Sequence, residues 1–211
     1  MARSALLNVM VDAVRKAGRG LTRDYGEVEN LQVSMKGPGE FVTSADKRAE
    51  KVLFEELQRA RPGYGFLMED RGVVDGTDTS HRWIIDAVDG TVNLVHAIPV
   101  FCISVALERN GVVVAGVMYN PILDELYVAE RGAGSFVNDR RMRVAGRSKL
   151  HDCVVGTFVP HIGHDDHVAA MNRQKALMNE VAGVRAFGST GISLAYVAAG
   201  RLDAHIETAV E

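Results

Sequence analysis

The sequence has no long apolar segment, very little cysteine and no block of basic residues. No uninterrupted apolar run could span a membrane, because the N-terminal apolar stretch is broken by Asp12, Arg15 and Lys16. The two cysteines, Cys102 and Cys153, lie in apolar surroundings, which predicts buried, reduced thiols. The formal net charge is -3 at pH 7, which argues against direct nucleic-acid binding. We therefore expect a soluble, cytoplasmic protein that contacts no membrane.

The N-terminal third carries clear helix signals. Apolar residues at helical spacing predict a surface helix near the N-terminus, with Ser4 close to its N-cap. A second helix is predicted over residues 45–61, because Thr43 and Asp46 have capping-box spacing and Pro62-Gly63 ends the helical pattern.

The rest of the chain divides by pattern at about residue 150. Two β-rich runs flank Asn110-Gly111, which predicts a hairpin, and further strand patterns predict an antiparallel middle. Strand and helix patterns then alternate. We predict a layered α+β architecture. Residues 1–150 would form N-terminal helices and an antiparallel sheet that carries metal and phosphate ligands, and residues 151–211 a partial C-terminal α/β layer.

The segment IIDAVDGTVN, residues 84–93, is the most informative for chemistry. Asp86 and Asp89 lie three positions apart at the predicted end of a strand, and Gly90 and Thr91 follow where a short helix begins. Two nearby carboxylates repel each other unless a cation lies between them, and Mg²⁺ prefers carboxylate and carbonyl oxygens. Backbone amides at a helix N-terminus suit a phosphate oxygen. A metal-assisted phosphoryl-transfer site and a plain Asp-rich turn both remain open on this segment alone.

Two further acidic positions have simpler explanations when taken alone. Glu69 and Asp70 follow a short apolar run and would ordinarily be solvated loop acids. Asp46 is explained by helix capping, and it could also orient a hydroxyl group near a metal.

These segments together carry a resemblance that covers nearly the whole chain. In order, they are Lys36, Thr43-x-x-Asp46, Glu69-Asp70, Asp86-x-x-Asp89-Gly90-Thr91-x-Asn93, Gly188-Ser189 and AAGRLDAHIE, with KGPGEFVTSAD, ARPGYGFLMED and YNPILDELYVAERGAG between or around them. The chain resembles the inositol monophosphatase family, the Mg²⁺-dependent, lithium-sensitive sugar-phosphate phosphatases. The resemblance implies a layered αβαβα sandwich of the inositol monophosphatase and fructose-1,6-bisphosphatase type, and a cytoplasmic homodimer.

The resemblance also implies a metal site. Glu69, Asp86 and the carbonyl of Val88 would hold a first Mg²⁺, and Asp86 and Asp89 would hold part of a second. The bound metal would activate water and neutralise charge on the attacking and leaving oxygens.

The remaining roles that the resemblance implies concern catalysis and the substrate, a small-molecule phosphate ester. Glu69, Thr91 and Asp46 would be catalytic, with Thr91 and Asp46 helping to activate water. The substrate-binding residues would be Asp89, Gly90, Thr91, Ser189, Thr190 and Glu207, with the amides of Gly90 and Thr91 on the phosphate.

The sequence departs from the family pattern at two places. Ala87 stands where the family usually has proline, which should loosen the turn that aims Asp89. The sequence ends at Glu211, before the Trp-Asp pair whose aspartate is the family's third carboxylate for the second metal. We expect from this a truncated or diverged homologue that lacks the last elements of the fold and has impaired catalysis.

Three alternatives stay open at this point. His161, His164 and His167 could hold a transition metal, although such a stretch is more typical of a polar loop. Within the family, enzymes acting on nucleotide bisphosphates, fructose bisphosphate or histidinol phosphate share the same motif. The protein could also be a non-catalytic binding protein that retains the fold, for example a partner of the transcription machinery. Mg²⁺ binding and turnover distinguish this last class from the enzymes.

Overall fold

The structure, a computed structural model, describes residues 4–28, 33–37, 40–159 and 167–207. The helices are α1 (Ala5–Gly26), α2 (Ser44–Ala60), α3 (Thr91–Val95), α4 (His167–Met178) and α5 (Thr190–Ala198). The strands are β1 (Val33–Gly37), β2 (Glu40–Thr43), β3 (Tyr64–Met68), β4 (Gly72–Val74), β5 (Asp78–Asp89), β6 (Cys102–Arg109), β7 (Val112–Asn120), β8 (Glu125–Glu130), β9 (Gly134–Val137), β10 (Arg140–Arg141), β11 (Val154–Thr157), β12 (Gly183–Ala186) and β13 (Ala204–Ile206).

The two long helices form as their sequences predict. The hydroxyl oxygen of Ser4 caps α1 by accepting a hydrogen bond from the backbone N–H of Leu7 at 3.1 Å. α2 begins with a complete capping box, in which Thr43 and Asp46 each satisfy the other's backbone N–H. Both helices bury their apolar faces against the central strands β5, β6 and β7. Burial of these faces, more than helix propensity, stabilises the two helices.

The main sheet contains eight strands in the order β10-β9-β8-β7-β6-β5-β3-β4. The predicted hairpin joins β6 to β7, and its turn residues Asn110 and Gly111 both have positive φ, at 51° and 75°. The expectation of an antiparallel middle is wrong at one pair, because β3 and β5 run parallel. β4 pairs with the outer side of β3, so the chain has to return across β3 before β5 begins.

One predicted strand is divided in two. The run GAGSFVNDRRMRV forms β9 and β10, which pair with each other across a turn. Asn138 and Asp139 make this turn with φ values of 45° and 63°. Asn and Asp tolerate the left-handed region, so these two residues end the extended run.

A small parallel sheet with the order β12-β11-β13 follows in the chain. α4 connects β11 to β12, and α5 connects β12 to β13, as the alternating pattern predicts. α4 ends at Met178, because the chain must turn before β12 begins at Gly183. α5 contacts β6 and β7 of the main sheet and also β13, so it connects the two sheets.

The two faces of β6 serve different layers, because successive side chains of a strand point to opposite faces. Ile103 belongs to the core that the main sheet shares with α1 and α2, whereas the thiol of Cys102 lies near Ser189 at the start of α5. Helices, main sheet, α5 and small sheet thus form successive layers, which confirms the predicted α+β class. The division into two domains near residue 150 stays a prediction.

Two expectations from composition can be compared with the described residues. Cys102 and Cys153 are both buried and free, as predicted. In the ranges that the structure covers, no helix combines the length and the apolar character that crossing a membrane requires.

Candidate functional site

A bulge at the end of β5 places two carboxylates on the same face of the main sheet. Asp86 pairs with Ser104, and Asp89 pairs with Cys102, so three steps along β5 match only two along β6. Residues three apart on a regular strand would point to opposite faces. The extra residue in the bulge cancels that alternation. The pattern Asp-x-x-Asp therefore brings both aspartates to one side only because the strand is irregular there.

The parallel pairing of β3 and β5 brings a third carboxylate to the same edge. Glu69 follows β3 directly, and its backbone N–H donates to the carbonyl oxygen of Ile85 at 3.3 Å. Its carboxylate is hydrogen-bonded to the carboxyl group of Asp86. The ends of two parallel strands meet at one edge, so residues far apart in sequence become neighbours.

The pKa of Asp86 reflects the closeness of Asp89 and Glu69. Burial, followed by the negative charges of Asp89 and Glu69 and the hydrogen bond with Glu69, raises the pKa of Asp86 to about 9. The backbone N–H of Val88, which donates to Asp86 Oδ1 at 2.9 Å, opposes this rise. Burial and the neighbouring acids therefore favour the protonated form of Asp86, whereas a bound cation would favour its ionised form.

The donor set at this edge matches a hard divalent cation. It consists of carboxylate oxygens from Glu69, Asp86 and Asp89, with the carbonyl of Val88 between the two aspartates. Oxygen donors of this kind suit Mg²⁺. Among the residues that the structure describes, however, no three His, Cys, Asp or Glu side chains form a ready-made metal cluster. Metal binding would therefore require these side chains to adjust.

Asp46 connects the cap of α2 to Thr91 at the start of α3. One carboxylate oxygen of Asp46 accepts from the Thr43 backbone N–H at 3.0 Å and from the Thr43 hydroxyl. The other accepts from the Thr91 hydroxyl at 2.7 Å. Burial raises the pKa of Asp46, and the hydrogen bonds from Thr43 and Thr91 partly offset that rise. Asp46 thus caps the helix and also orients the hydroxyl of Thr91.

Thr91 also lies close to the predicted metal ligands. Its hydroxyl oxygen is 3.1 Å from the carbonyl oxygen of Val88. A hydroxyl has one hydrogen, which the shorter contact assigns to Asp46, and its lone pairs stay available to accept a hydrogen bond. The carbonyl of Val88 likewise has two lone pairs.

Asp89 is held by the beginning of α5, about a hundred residues later in the chain. Its Oδ2 accepts hydrogen bonds from the Ser189 hydroxyl at 2.7 Å and from the Gly191 backbone N–H at 2.6 Å. The thiol of Cys102 lies 3.7 Å from the same oxygen. Burial raises the pKa of Asp89, while these donors and the backbone N–H of Thr190 act against that rise. Ser189, predicted to bind substrate, is a partner of Asp89 here.

The turn after Asp89 passes close to the chain that leads into α5. Gly90 has a φ of 100°, and a Cβ atom placed on it would lie 3.1 Å from the carbonyl oxygen of Gly188. The buried amide of Asn93 donates to the carbonyl oxygens of Val100 at 2.6 Å and Phe187 at 2.7 Å. Sequence reasoning included Asn93 in a motif without a role. The structure shows that it joins the α3 turn to the segment before α5.

Thr190 and Glu207 form a second polar pair beside the small sheet. The Thr190 hydroxyl donates to Glu207 Oε2 at 2.8 Å, and His205 Nε2 lies 3.0 Å from the same oxygen. His205 is nearly buried, and its Nδ1 has no hydrogen-bond partner. Sequence reasoning missed His205, although its position two residues before Glu207 on a strand predicts a shared face. Of the three histidines considered as an alternative transition-metal site, His161 and His164 lie outside the described residues.

Comparison with known proteins shows the family of this chain. The model of the inositol monophosphatase family matches residues 2–211. Inositol-1-monophosphatase of Mesorhizobium japonicum is 61% identical over 208 residues, which cover 99% of this chain and 78% of that protein. Nus factor SuhB of Escherichia coli K12 is 35% identical over 202 residues, covering 96% of this chain and 76% of that protein.

A solved structure extends the likeness to three dimensions. The crystal structure of the extragenic suppressor protein suhB from Bartonella henselae superimposes with a TM-score of 0.96 at 53% sequence identity. The superposition covers 99% of this chain and 80% of that chain. Sequence and fold agree, and the chain belongs to the inositol monophosphatase family.

Proposed function

We propose that this protein hydrolyses phosphate monoesters with Mg²⁺ as its cofactor, and that its substrate is inositol monophosphate or a related sugar phosphate. One observation carries the proposal. The β5 bulge and the parallel pairing of β3 and β5 gather Asp86, Asp89 and Glu69 beside the Asp46–Thr91 pair. A set of oxygen donors next to an oriented hydroxyl is what metal-assisted attack of water on phosphorus requires.

Mg²⁺ would be held by Glu69, Asp86 and the carbonyl of Val88, with Asp86 and Asp89 offering a second position. When bound, the cation lowers the pKa of water and neutralises charge on the phosphate oxygens. Asp86 has to lose its proton before it can bind the cation, because burial and the neighbouring acids raise its pKa to about 9. Metal binding should therefore release protons and strengthen with increasing pH.

Thr91 and Asp46 would orient the attacking water. The Thr91 hydroxyl donates its hydrogen to Asp46 at 2.7 Å, so its oxygen can accept a hydrogen bond from that water. Asp46 holds this rotamer with a carboxylate whose other oxygen is already occupied by Thr43. Removing the proton acceptor behind Thr91 would leave the hydroxyl free to turn, which lowers the fraction of correctly oriented water.

The substrate would lie between the α3 turn and α5. The backbone amides of Gly90 and Thr91 would bind the phosphate, and Asp89, Ser189, Thr190 and Glu207 would surround the hydroxyl-bearing part. The Thr190–Glu207 contact of 2.8 Å supports this placement, because Thr190 and His205 both contact Oε2 of Glu207, and the other carboxylate oxygen has lone pairs for a substrate hydroxyl. We further propose inhibition by lithium, a homodimer and a cytoplasmic location.

A non-catalytic binding protein is the second candidate. It is supported by the similarity to a protein named Nus factor SuhB, at 35% identity. The retention of Glu69, Asp86, Asp89, Thr91 and Asp46 favours the enzyme, because a binding role does not require this chemistry.

The direct test is phosphate release from inositol 1-phosphate with and without Mg²⁺, and with added lithium. We expect Mg²⁺-dependent turnover that Asp86→Asn abolishes, because the amide cannot supply an anionic ligand. The exposed Asp75→Asn is the matched control and should retain wild-type turnover. A folded wild type without phosphate release in Mg²⁺ would refute the enzyme and favour the binding protein.

A further inference from the structure

Glu50 on α2 is a buried acid that neither the sequence analysis nor the proposed mechanism uses. Its side chain is only 7% exposed. One carboxylate oxygen accepts hydrogen bonds from the backbone N–H groups of Asp70 at 3.2 Å and Arg71 at 3.3 Å. The other oxygen lies 3.4 Å from Arg71 Nε. Burying a carboxylate is costly unless it is hydrogen-bonded, so both oxygens are committed to this one turn.

The turn that Glu50 holds begins at Glu69. On its N-terminal side, Glu69 is anchored by the backbone hydrogen bond to Ile85 at 3.3 Å. On its C-terminal side, the next two backbone N–H groups are bound by Glu50. Glu69 is an exposed residue, so the position of its side chain depends on the conformation of its own backbone. The hydrogen bonds on both sides of Glu69 together hold its backbone in place next to Asp86.

The same helix also positions Asp46. Asp46 and Glu50 are four residues apart on α2, and both are buried on the same face. Asp46 reaches Thr91, and Glu50 reaches the turn after Glu69. A single rigid helix thus sets the distance between the predicted water-orienting hydroxyl and a predicted metal ligand.

We propose that Glu50 is a positioning residue that presents Glu69 to the metal, an inference that rests on the proposed function. It acts through the backbone of Asp70 and Arg71 and does not touch the metal or the substrate. Its removal should therefore weaken metal binding more than substrate binding. A purely structural role would lower stability and leave the affinity of the folded protein for metal unchanged.

The test measures Mn²⁺ binding to the metal-free protein by electron paramagnetic resonance, together with kcat, KM and the Mg²⁺ dependence of turnover. Glu50→Gln keeps the size of the side chain, but the amide is uncharged and has only one oxygen that can accept hydrogen bonds. We expect its Mn²⁺ dissociation constant to rise about 10-fold, as is typical when a group that orients a metal ligand is lost. The KM for inositol 1-phosphate at saturating Mg²⁺ should change far less, and high Mg²⁺ should restore part of the lost turnover.

Two controls and one alternative variant accompany Glu50→Gln. Arg71→Ala removes the side-chain contact but leaves both backbone hydrogen bonds, so its Mn²⁺ affinity should stay within about two-fold of wild type, well below the effect of Glu50→Gln. Glu55→Gln changes an exposed carboxylate on the same helix and should match wild type. If Glu50→Gln does not fold, Glu50→Asp, which retracts the carboxylate and keeps its charge, should show the same weakening of Mn²⁺ binding.

The outcomes separate this inference from the function on which it rests. A folded Glu50 variant that binds Mn²⁺ as tightly as wild type overturns the positioning role alone. A wild type that binds no Mn²⁺ and releases no phosphate overturns the proposed function and this inference with it. If the Glu50 variant binds Mn²⁺ more weakly with a preserved KM, and the controls are unchanged, the result supports both the positioning role and the proposed function.

Discussion

The main sheet and the small parallel sheet place their functional residues in different ways. On the main-sheet side, Asp46, Glu69 and Asp86 are positioned by backbone features, namely a capping box, a parallel strand pair and a bulge. On the small-sheet side, the start of α5 reaches the site through side-chain hydrogen bonds. Backbone ladders are cooperative and deeply buried, whereas a few polar contacts can be lost singly. One half of the site is therefore positioned by the backbone of the main sheet. The other half is positioned by the polar contacts between α5 and the main sheet, which we call the junction.

That junction includes the contacts of Ser189 and Gly191 with Asp89, of Asn93 with Phe187, and of Arg201 with Glu125. The last is bidentate, at 2.6 and 2.8 Å, and the Arg201 guanidinium also lies 4.8 Å from the centre of the Tyr196 ring. The hydroxyl of Tyr127 donates to the same Glu125 carboxylate at 2.6 Å. Planar, doubly hydrogen-bonded pairs are the stronger class of ion pair, so this contact should stabilise the packing of the turn after α5 against β8.

Removing a core ring from the main sheet should have the largest effect. Phe66 is 1% exposed and contacts Phe54 at a ring separation of 4.7 Å. Phe66→Ala should lower the free energy of unfolding by about 3–5 kcal/mol, because it removes apolar burial and leaves a cavity. Urea unfolding measures this loss. Val73→Ala, at a position 61% exposed on the neighbouring strand, should stay within about 0.5 kcal/mol. Similar losses for the two variants would contradict the view that the buried core of the main sheet holds this half of the site in place.

A smaller and more local effect is expected at the junction from Gly191→Ala. A Cβ atom there would lie 2.8 Å from Asp89 Oδ2 and 2.9 Å from the thiol of Cys102. Asp89 would have to move, and turnover should fall about 100-fold, as displacements of about 1 Å in an active site can cause. Steady-state kinetics provide the measurement.

The matched control for Gly191→Ala is Gly20→Ala, a helical glycine in α1 with no atom within 4 Å of the added Cβ. It should retain full activity and gain about 0.5–1 kcal/mol of stability from better helix propensity. An active Gly191→Ala would mean that Asp89 does not depend on the junction.

The smallest expected effect depends on pH and concerns Glu125. Burial raises the pKa of Glu125, but the hydrogen bonds from Arg201 and Tyr127 and the charge of Arg201 outweigh it, so the pKa is lowered. Since the unfolded state binds the proton more tightly, the pair stabilises the fold fully above the unfolded pKa of about 4.3. This stabilisation is lost as the pH falls through the lower folded value.

Glu125→Gln should therefore cost about 1–2 kcal/mol at pH 7, a value reduced because Arg201 is partly exposed. The difference from wild type should shrink as the pH is lowered from 5 to 3, measured by urea unfolding at each pH. Glu55→Gln, at an exposed ion pair, should show no such trend. A difference that stays constant with pH would show that ionisation of Glu125 does not support the junction.

Much of the local structure could be predicted because it depends on neighbouring residues. The caps of α1 and α2, the Asn110-Gly111 turn and the alternating strands and helices after residue 150 are local features, and all are observed. The parallel pairing of β3 and β5 was not predicted, because it depends on β4 taking the outer side of β3. The β9–β10 turn was missed because its Asn138-Asp139 signal lies within an otherwise extended run.

The candidate site shows the same division. Glu69, Asp86, Asp89, Thr91 and Asp46 could be named from motifs, and the structure brings them into one neighbourhood. Whether Glu69 and Asp86 bind the metal stays a prediction. Glu50, Asn93 and His205 could not be given a role from the sequence, because their partners are backbone atoms or residues that only folding brings near.

The sequence by itself determined the helix caps, the tight turns, the family and the acidic residues that could carry chemistry, because each is encoded by residue types at short spacing. Only the tertiary structure decided that Asp86 and Asp89 share one face, that Glu69 joins them, and that α5 holds Asp89. These arrangements depend on a bulge, a strand crossing and a junction between sheets. Each of these features arises from packing between residues that are distant in the chain.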